Sequence, residues 1–483
     1  MKALLIDAYN PPSSTAGAYS TFLEPMPPIA IAYVAGALEA GGHEVAFYDQ
    51  VADRGDPVRL EETLKRVRPD MVGLSAVTPS AAANFRTAQA VRKVLPQVPI
   101  VMGNIHADIF YRSILERGLA DVVVHGEGEV TVVDLANTLE RGGDLAAVQG
   151  ISFLRDGQVL RTPTRAFVQD MDSLPKPAWH LFPIDGYRIF AFARVQEPGT
   201  LINGSRGCPY ACTFCSLKIM GHKRRVRSAK SLVDEIEWLH SEFGYRQVSF
   251  TDPIFPITRK EGLAFCHEMV RRGLHEKVVW VTETRVDNVD PELLDAMSEA
   301  GCRRIMYGFE TGDEDVLDSI KKNFSLERAR EAARWSRKAG IQVIGFFMIG
   351  MPHDTPERIK RTIDFACNTG IDFAKFTVFV PYPGTDDYAL LDGMGDWVET
   401  GFSEDETIWE RFTSYPTKQN VPIYIAPALT NEKLIRLQKL ALFRFYANPK
   451  MLFHHLVRVR SIKLSEMVKG AAVILDLPRL AAA

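Results

Sequence analysis

Three cysteines stand at positions 208, 212 and 215, in a stretch that reads Ser205-Arg-Gly-Cys-Pro-Tyr-Ala-Cys-Thr-Phe-Cys-Ser216. The chain has six cysteines in 483 residues and none before Cys208, so three within eight residues need a chemical reason. Thiolates hold zinc or iron–sulfur clusters, and sets of four ligands are the rule. Here there are three, with no further Cys or His nearby at ligand spacing. Three thiolates on a cubane of four irons leave one iron open to a substrate-like ligand; a structural zinc site is the alternative. Gly207 allows a turn off a preceding strand and Pro209 stiffens the loop. Cys266, Cys302 and Cys367 are scattered over predicted helices and strand edges and read as small core residues.

Such a loop needs a strand to deliver it. Apolar runs predict strands at 200–205, 247–251, 278–282, 303–308, 342–348 and 373–379, with helices between them, notably 229–243, 325–339 and 355–369. Six βα units make a three-quarter barrel, and the cysteine loop follows its first strand, at the end where barrel active sites lie. Upstream, residues 2–143 alternate strand and helix five times. Strands are expected at Ala3–Asp7, Glu44–Asp49, Met71–Ala76, Ile100–Gly103 and Asp121–Gly126, with helices at Ile29–Ala40 and near 57–67, 80–95, 107–118 and 129–141. This alternation predicts a doubly wound parallel sheet whose ligands bind outside the carboxyl ends of the strands. The loops there read Asn10-Pro-Pro12, Ser75-Ala-Val-Thr78, Gly103-Asn104-Ile-His106 and His125-Gly126-Glu127-Gly128-Glu129.

The fold class expected is therefore α/β. Residues 1–143 form a Rossmann-like doubly wound sheet, and 144–199 a linker with a β-hairpin turning at Asp156-Gly157 and a proline-rich strap, Leu174–Trp179. Residues 200–385 form a partial (β/α)6 barrel and 386–483 a mostly helical segment. Composition is that of a water-soluble globular protein: 46% hydrophobic, 24% charged, net charge −3. A global nucleic-acid signature is absent, and no run approaches the roughly 18 apolar residues of a membrane span. Met1–Pro12 lacks an apolar signal-peptide core. A cytoplasmic, reducing location is expected, which suits the thiols.

The cysteine loop, with aromatic Phe214 just before its last cysteine, resembles the signature of the radical S-adenosylmethionine enzymes. The resemblance implies that Cys208, Cys212 and Cys215 are the catalytic metal ligands of a four-iron, four-sulfur cluster whose open iron is chelated by S-adenosylmethionine. It also implies roles at later strand ends. Glu310, in Gly308-Phe-Glu-Thr-Gly312, would bond the ribose hydroxyls, and Arg285 would grip the methionine carboxylate in a fork. Met348, in Phe347–Pro352, would flank adenine, and Thr251-Asp252 stands where an acidic pair is usual. Pro381–Thr385 looks like a closing loop. Residue chemistry leaves a salt bridge to Glu283 or Asp287 open for Arg285, and service to a helix start at Asp313 open for Glu310.

The first domain resembles the cobalamin-binding domain that precedes the radical domain in one large class of these enzymes. By that resemblance Asn10, Ser75, Thr78, Gly103, Asn104, His106, Gly126, Glu127 and Gly128 face the corrin. Asn104 stands in place of the usual second glycine, and the Asp-x-His-x-x-Gly motif that gives cobalt a histidine elsewhere is absent from His43, His106 and His125. A generic flavodoxin-like domain is the alternative. Together the resemblances span about residues 2–385.

The class implied methylates carbons that are not nucleophilic. Such a C–H bond offers no acidic proton to a side-chain base, so a radical cofactor must act. A 5′-deoxyadenosyl radical would take a substrate hydrogen and methylcobalamin would supply the methyl group, a second S-adenosylmethionine restoring it. A small-molecule or lipid substrate and an electron donor such as flavodoxin or ferredoxin are the expected partners. Oxidative cyclases and rearranging enzymes of tetrapyrroles or hopanoids share the architecture and form the nearest alternative. An RNA methylthiotransferase would want three more cysteines before Cys208, and a cobalamin sensor without catalysis would have no use for the triplet.

The C-terminal segment carries two aromatic stretches, Trp397–Trp409 and Tyr415–Tyr424, expected to cover the open side of the barrel. Residues 431–470 hold nine Lys/Arg against two acids on a Leu/Phe-rich helical pattern. Such a helix lies on an anionic membrane surface or packs on the barrel with a solvated basic face; the packed reading is preferred.

Overall fold

The computed structural model describes residues 1–10, 24–390, 396–397, 406–412, 414–417, 420–449, 451 and 455. Pro11, Pro12 and the basic residues beyond Pro449 fall outside them.

The first sheet is built on β1 (Lys2–Asp7), β2 (Glu44–Asp49), β3 (Met71–Ser75), β4 (Ile100–Gly103) and β5 (Val122–Val124), all parallel. Their near-continuous apolar runs are those of strands buried on both faces. Helices Ile29–Ala40 and Gly128–Glu140 pack together on one face, and Pro57–Val67 and Ala81–Val94 on the other. The expected linker is divided in space. Its hairpin, β6 (Ile151–Arg155) and β7 (Gln158–Arg161), extends the first sheet, β6 pairing antiparallel with β5. The full strand order is β2-β1-β3-β4-β5-β6-β7. The reason is that an unpaired hairpin is marginal in water while the edge of β5 offers free backbone groups. The strap then lies along the first helix. The Ala178 amide donates to the Ala32 carbonyl at 2.9 Å, and a Cβ on Gly36 would stand 2.1 Å from the Lys176 carbonyl oxygen.

The second sheet runs β8 (Gly199–Ile202), β11 (Gln247–Phe250), β12 (Val279–Thr284), β13 (Cys302–Glu310), β14 (Gln342–Ile349) and β15 (Phe373–Val378), all parallel and in that order. A two-residue antiparallel ladder, β9 (Ser205–Arg206) with β10 (Arg225–Val226), stands on its first strand end. The intervening helices begin on side-chain caps: Ser228, Thr258, Asp290, Asp313, Ser325 and Thr355 each accept an amide of the first turn. Segment 192–196 closes the barrel floor. Gln247 accepts the Val195 and Gln196 amides at 2.7 and 2.8 Å and donates to the Ala193 carbonyl, while Arg304 donates to the Phe192 and Arg194 carbonyls.

The helix Asn431–Tyr446 packs on β15 and on helix Pro356–Asn368, burying Leu434, Leu437, Ala441 and Phe445. Gln438 donates to the Phe376 carbonyl, and the Tyr446 hydroxyl both donates to the Ala374 carbonyl and accepts its amide. Side chains thus satisfy the free edge of β15. The preferred packed reading describes this helix. Trp409 departs from expectation: it packs on His106 and Phe110 of the first domain, with ring centroids 4.6 and 5.0 Å away, instead of over the barrel. No helix among the described residues is long and apolar enough to cross a membrane.

Candidate active site between the two sheets

The cysteine loop leaves β9 through Gly207, whose φ of +80° suits glycine. A Cβ there would stand 2.6 Å from the Lys223 carbonyl oxygen and 2.9 Å from that of Gly221. The Cys208 amide donates to the Gly221 carbonyl and the Thr213 amide to that of Ile320, so both flanks of the loop are pinned. All three cysteines are free and half-buried. Burial pushes the Cys212 thiol up and takes that of Cys215 to about 11. Lys322 and Arg285 pull the Cys212 thiol the other way, so cations flank the loop. Among the described residues no three His, Cys, Asp or Glu side chains converge on a single-ion site. Three thiols beside buried cations suit an anionic cluster, which would be held by Cys208, Cys212 and Cys215.

Asp252 is buried and braces the approach to this loop. It accepts the Gly204 amide at 2.8 Å and the Ser205 hydroxyl, and burial raises its carboxyl to about 6. Arg285 lies 3.9 Å over the Tyr210 ring, its fork taken by Asp287 at 2.9 and 3.0 Å, and it donates to the Lys322 carbonyl. The salt bridge to Asp287 is thus present, beside the cysteine loop. Glu310 does not serve the helix start, which Asp313 caps itself. It sits at φ +65°, a conformation costing a Cβ residue roughly 1–2 kcal/mol, and pairs with Lys322 at 2.7 Å. Burial alone would depress the Lys322 ammonium, but Glu310 and Cys212 hold it above its usual range. Lys322 also lies 5.7 Å from the Phe214 ring, tying Glu310 to the loop. Sequence reasoning missed Lys322 because nothing in Lys321-Lys322 distinguishes a buried lysine from an exposed one. Met348 faces the barrel lumen at the end of β14, half-buried.

At the carboxyl ends of the first sheet a cavity of about 310 Å³ runs between the strands and the helices Ile29–Ala40 and Gly128–Glu140. Its depth is apolar, lined by Leu5, Leu38, Met71, Val101, Val124 and Val132. Its rim carries Ser75, Gly103, Asn104, Gly126, Glu127 and Gly128, and its far wall is Asn203, Ser205–Gly207, Thr251 and Pro253 of the barrel. Six of the nine residues expected to face the corrin therefore gather here. Asn104 keeps a glycine-like φ of +77° and donates to the Ser75 hydroxyl.

Asn10, Thr78 and His106 stand off this lining. Asn10 donates to the Pro79 carbonyl. His106 is fully buried among Phe85, Phe110 and Trp409, with Nδ1 3.3 Å from the buried Thr78 hydroxyl, and burial lowers its imidazole to about 3. The aromatic contact with Trp409, over three hundred residues away, draws the ring off the cavity, which no local pattern announces. Glu127 and Glu129 turn their carboxylates toward the barrel. Glu127 pairs with Arg225 at 2.6 Å and Arg206 at 3.2 Å, and Glu129 pairs with Arg206. An apolar slot opening among backbone and small polar groups suits the nucleotide tail of a cobalamin, whose ring the rim residues would meet.

Residues 202–366 match the family model of the Radical SAM superfamily and residues 17–136 that of the B12 binding domain. The chain is 28% identical over 448 residues to an uncharacterized methyltransferase of Pyrococcus horikoshii, covering 92% of this chain and 93% of the relative. It is 31% identical over 381 residues to the anaerobic magnesium-protoporphyrin IX monomethyl ester cyclase of Rubrivivax gelatinosus, covering 77% of this chain and 67% of the relative. The solved structure of the radical S-adenosylmethionine methyltransferase TsrM from Kitasatospora setae, with tryptophan substrate and a S-adenosylmethionine analogue bound, has the same fold: TM-score 0.71 at 19% identity, over 93% of this chain and 89% of that one. The chain belongs to the radical S-adenosylmethionine enzymes that carry a cobalamin-binding domain, whose cofactors are a [4Fe–4S] cluster, S-adenosylmethionine and cobalamin.

Proposed function

We propose that this enzyme places a methyl group on an unactivated carbon of a small molecule, working in the chamber between the two sheets. The observation that carries the reading is the shared wall: Ser205–Gly207, which lead into the cysteine loop, also close the apolar slot of the first domain. When bound, the cluster with S-adenosylmethionine supplies a carbon-centred radical and cobalamin a methyl group.

The chain's own residues bind and orient. Cys208, Cys212 and Cys215 hold the cluster. The buried Lys322–Glu310 pair and the stacked Arg285 offer cation and carboxylate beside it for the polar groups of S-adenosylmethionine, with Met348 and Phe214 as apolar neighbours. Asp252 fixes the strand end through Gly204 and Ser205. Ser75, Gly103, Asn104, Gly126 and Gly128 would receive the corrin, from which His106 is buried away. The division of labour follows the sheets, with the 151–161 hairpin going to the cobalamin side and the 192–196 plug to the barrel. A one-electron donor such as flavodoxin or ferredoxin and a cytoplasmic setting complete the reading; nucleic acid has no part in it.

The identity to the cyclase favours one second reading, oxidation without methyl transfer. The two separate on nucleoside products. Protein reconstituted anaerobically with iron, sulfide and hydroxocobalamin, then reduced with S-adenosylmethionine, forms S-adenosylhomocysteine as well as 5′-deoxyadenosine if it methylates. 5′-Deoxyadenosine without S-adenosylhomocysteine would assign it to the oxidative group.

A further inference from the structure

The barrel lumen is built in layers that alternate strictly along the strands. On β13, β14 and β15 the helix-facing residues Ile305, Tyr307, Phe309, Phe347, Ile349, Phe376 and Val378 are buried. Their neighbours Met306, Gly308, Phe346, Met348, Lys375 and Thr377 are all partly accessible. Accessibility on the concave side of a closed-in sheet means open space. The lowest layer is apolar, where Leu201 and Val281 join Ile189 and Ala193, with Met306 against them. By strand register Glu283 is level with Met306, Ile344 and Phe373, and Lys375 stands one layer higher, level with Gly308 and Phe346 and two positions below Thr377.

Glu283 points into this space, since its neighbours Thr282 and Thr284 turn the other way to donate to the Phe255 and Pro256 carbonyls. Lys375 points in from β15, its ammonium 5.5 Å from the Phe346 ring. Strands β13 and β14 separate the two, so they sense one another across the lumen, not along the sheet. Each does: burial and then Glu310 raise the Glu283 carboxyl while Lys322 and Lys375 lower it, and Glu283 raises the Lys375 ammonium against burial. Yet they form no ion pair, and neither side chain makes a hydrogen bond to a described residue. Two long polar side chains in a low-dielectric lumen without partners are costly. That arrangement persists where a ligand supplies the partners.

We propose that Glu283 and Lys375 are the opposite polar ends of the substrate site, which takes a small amphoteric molecule: one anionic or accepting group for Lys375, one cationic or donating group for Glu283, and an apolar body against Phe346, Met306 and Met348. A plain hydrocarbon would strand both charges. The assignment rests on the barrel lumen opening into the proposed chamber between the sheets, but not on methyl transfer: a protein that bound such a molecule and formed no S-adenosylhomocysteine would keep this site and lose the other reading.

S-Adenosylmethionine is itself amphoteric, so the test separates it. Reconstituted protein with S-adenosylmethionine present is dialysed at equilibrium against millimolar phenylalanine, 3-phenylpropionate, phenethylamine and ethylbenzene, probes of one shape. Phenylalanine is expected to be retained best and ethylbenzene least. Lys375→Met should cut retention of the acid about tenfold and Glu283→Gln that of the amine about tenfold, each a lost charged hydrogen bond. Binding of S-adenosylmethionine should stay unchanged in both. The ligand-free variants should melt at or above the wild-type temperature, because an unpaired desolvated charge has gone. Charged probes retained no better than ethylbenzene, a tenfold loss falling on S-adenosylmethionine instead, or both variants melting well below wild type would each overturn the proposal.

Discussion

The slot in the first domain and the lumen of the barrel handle charge in opposite ways. At the slot, Asp108 bonds His125 and the Gly126 amide, and Glu127 and Glu129 are spent on Arg206 and Arg225. What remains for a ligand there is backbone, small side chains and apolar depth, which suits a large, mostly neutral ring with a tail. In the lumen Glu283 and Lys375 are left facing space. A cofactor that stays bound is recognised by shape, while a substrate that must be selected each turnover meets charges held in reserve. The acids of the first domain fasten the two sheets together, and the fastening is made on Arg206, two residues before Cys208.

The largest effect is expected at the cysteine loop, which both chambers share. Replacing any one of Cys208, Cys212 and Cys215 by Ala should remove nearly all of the broad visible absorption of the reconstituted protein. A variant that kept full absorption would remove the cluster from this loop.

Next in size is the clamp. Arg225 and Glu127 are almost entirely shielded, their side chains 3% and 5% exposed. Glu127→Ala leaves Arg225 without its carboxylate, and breaking a buried pair in this way costs about 3–5 kcal/mol. Urea unfolding should show it, and Arg225→Met in the same chain should recover part of the loss. Full stability in Glu127→Ala would mean the clamp does not join the sheets.

Glu283 gives a smaller, pH-dependent effect. Burial first, then Glu310, raises its carboxyl from 4.5 to about 7. Between those values the folded chain binds a proton that the unfolded chain has released, so stability falls as pH rises from about 4.5 to 7 and then levels. Glu283→Gln should remove up to about 1.4 kcal/mol per pH unit of that slope. Asp7 and Asp354, raised by burial to about 7, titrate in the same direction and keep the rest of it. Identical slopes in the variant and the wild type would show that Glu283 titrates near its ordinary value.

The smallest effect belongs to the barrel edge. Tyr446→Phe removes the hydrogen bond to the Ala374 carbonyl and should cost about 1 kcal/mol in urea unfolding. No measurable change would mean that water satisfies the edge of β15 as well as the helix does.

Much of this fold is legible in the sequence. Apolar runs place the barrel strands close to their observed ends, because strands buried on both faces need such runs. Helix Ala229–Phe243 is marked at both ends by Ser228 and Gly244. The site is legible where spacing alone implies chemistry, as at Cys208–Cys215. It is not legible where distant segments meet. His106 reads as a loop residue until Trp409 packs on it. The 151–161 hairpin reads as a linker until the edge of β5 receives it. Glu127 reads as a rim residue until two arginines of the barrel take its carboxylate. Lys322, Glu283 and Lys375 show no pattern at all, since a polar residue on a strand or after a helix looks alike whether it faces water or a lumen.

The two cofactor sites proposed for this chain are adjacent but separable. Gly103 lines the slot, and a Cβ added to it would meet no atom nearer than 3.8 Å, so Gly103→Leu fills the slot without straining the strand. Iron and cobalt are to be counted per chain after anaerobic reconstitution of the wild type, the Cys208/Cys212/Cys215 triple-alanine variant and Gly103→Leu. The expected result is about four irons and one cobalt in the wild type, cobalt without iron in the triple variant, and iron without cobalt in Gly103→Leu. A full equivalent of cobalt in Gly103→Leu, or full iron in the triple variant, would contradict the account.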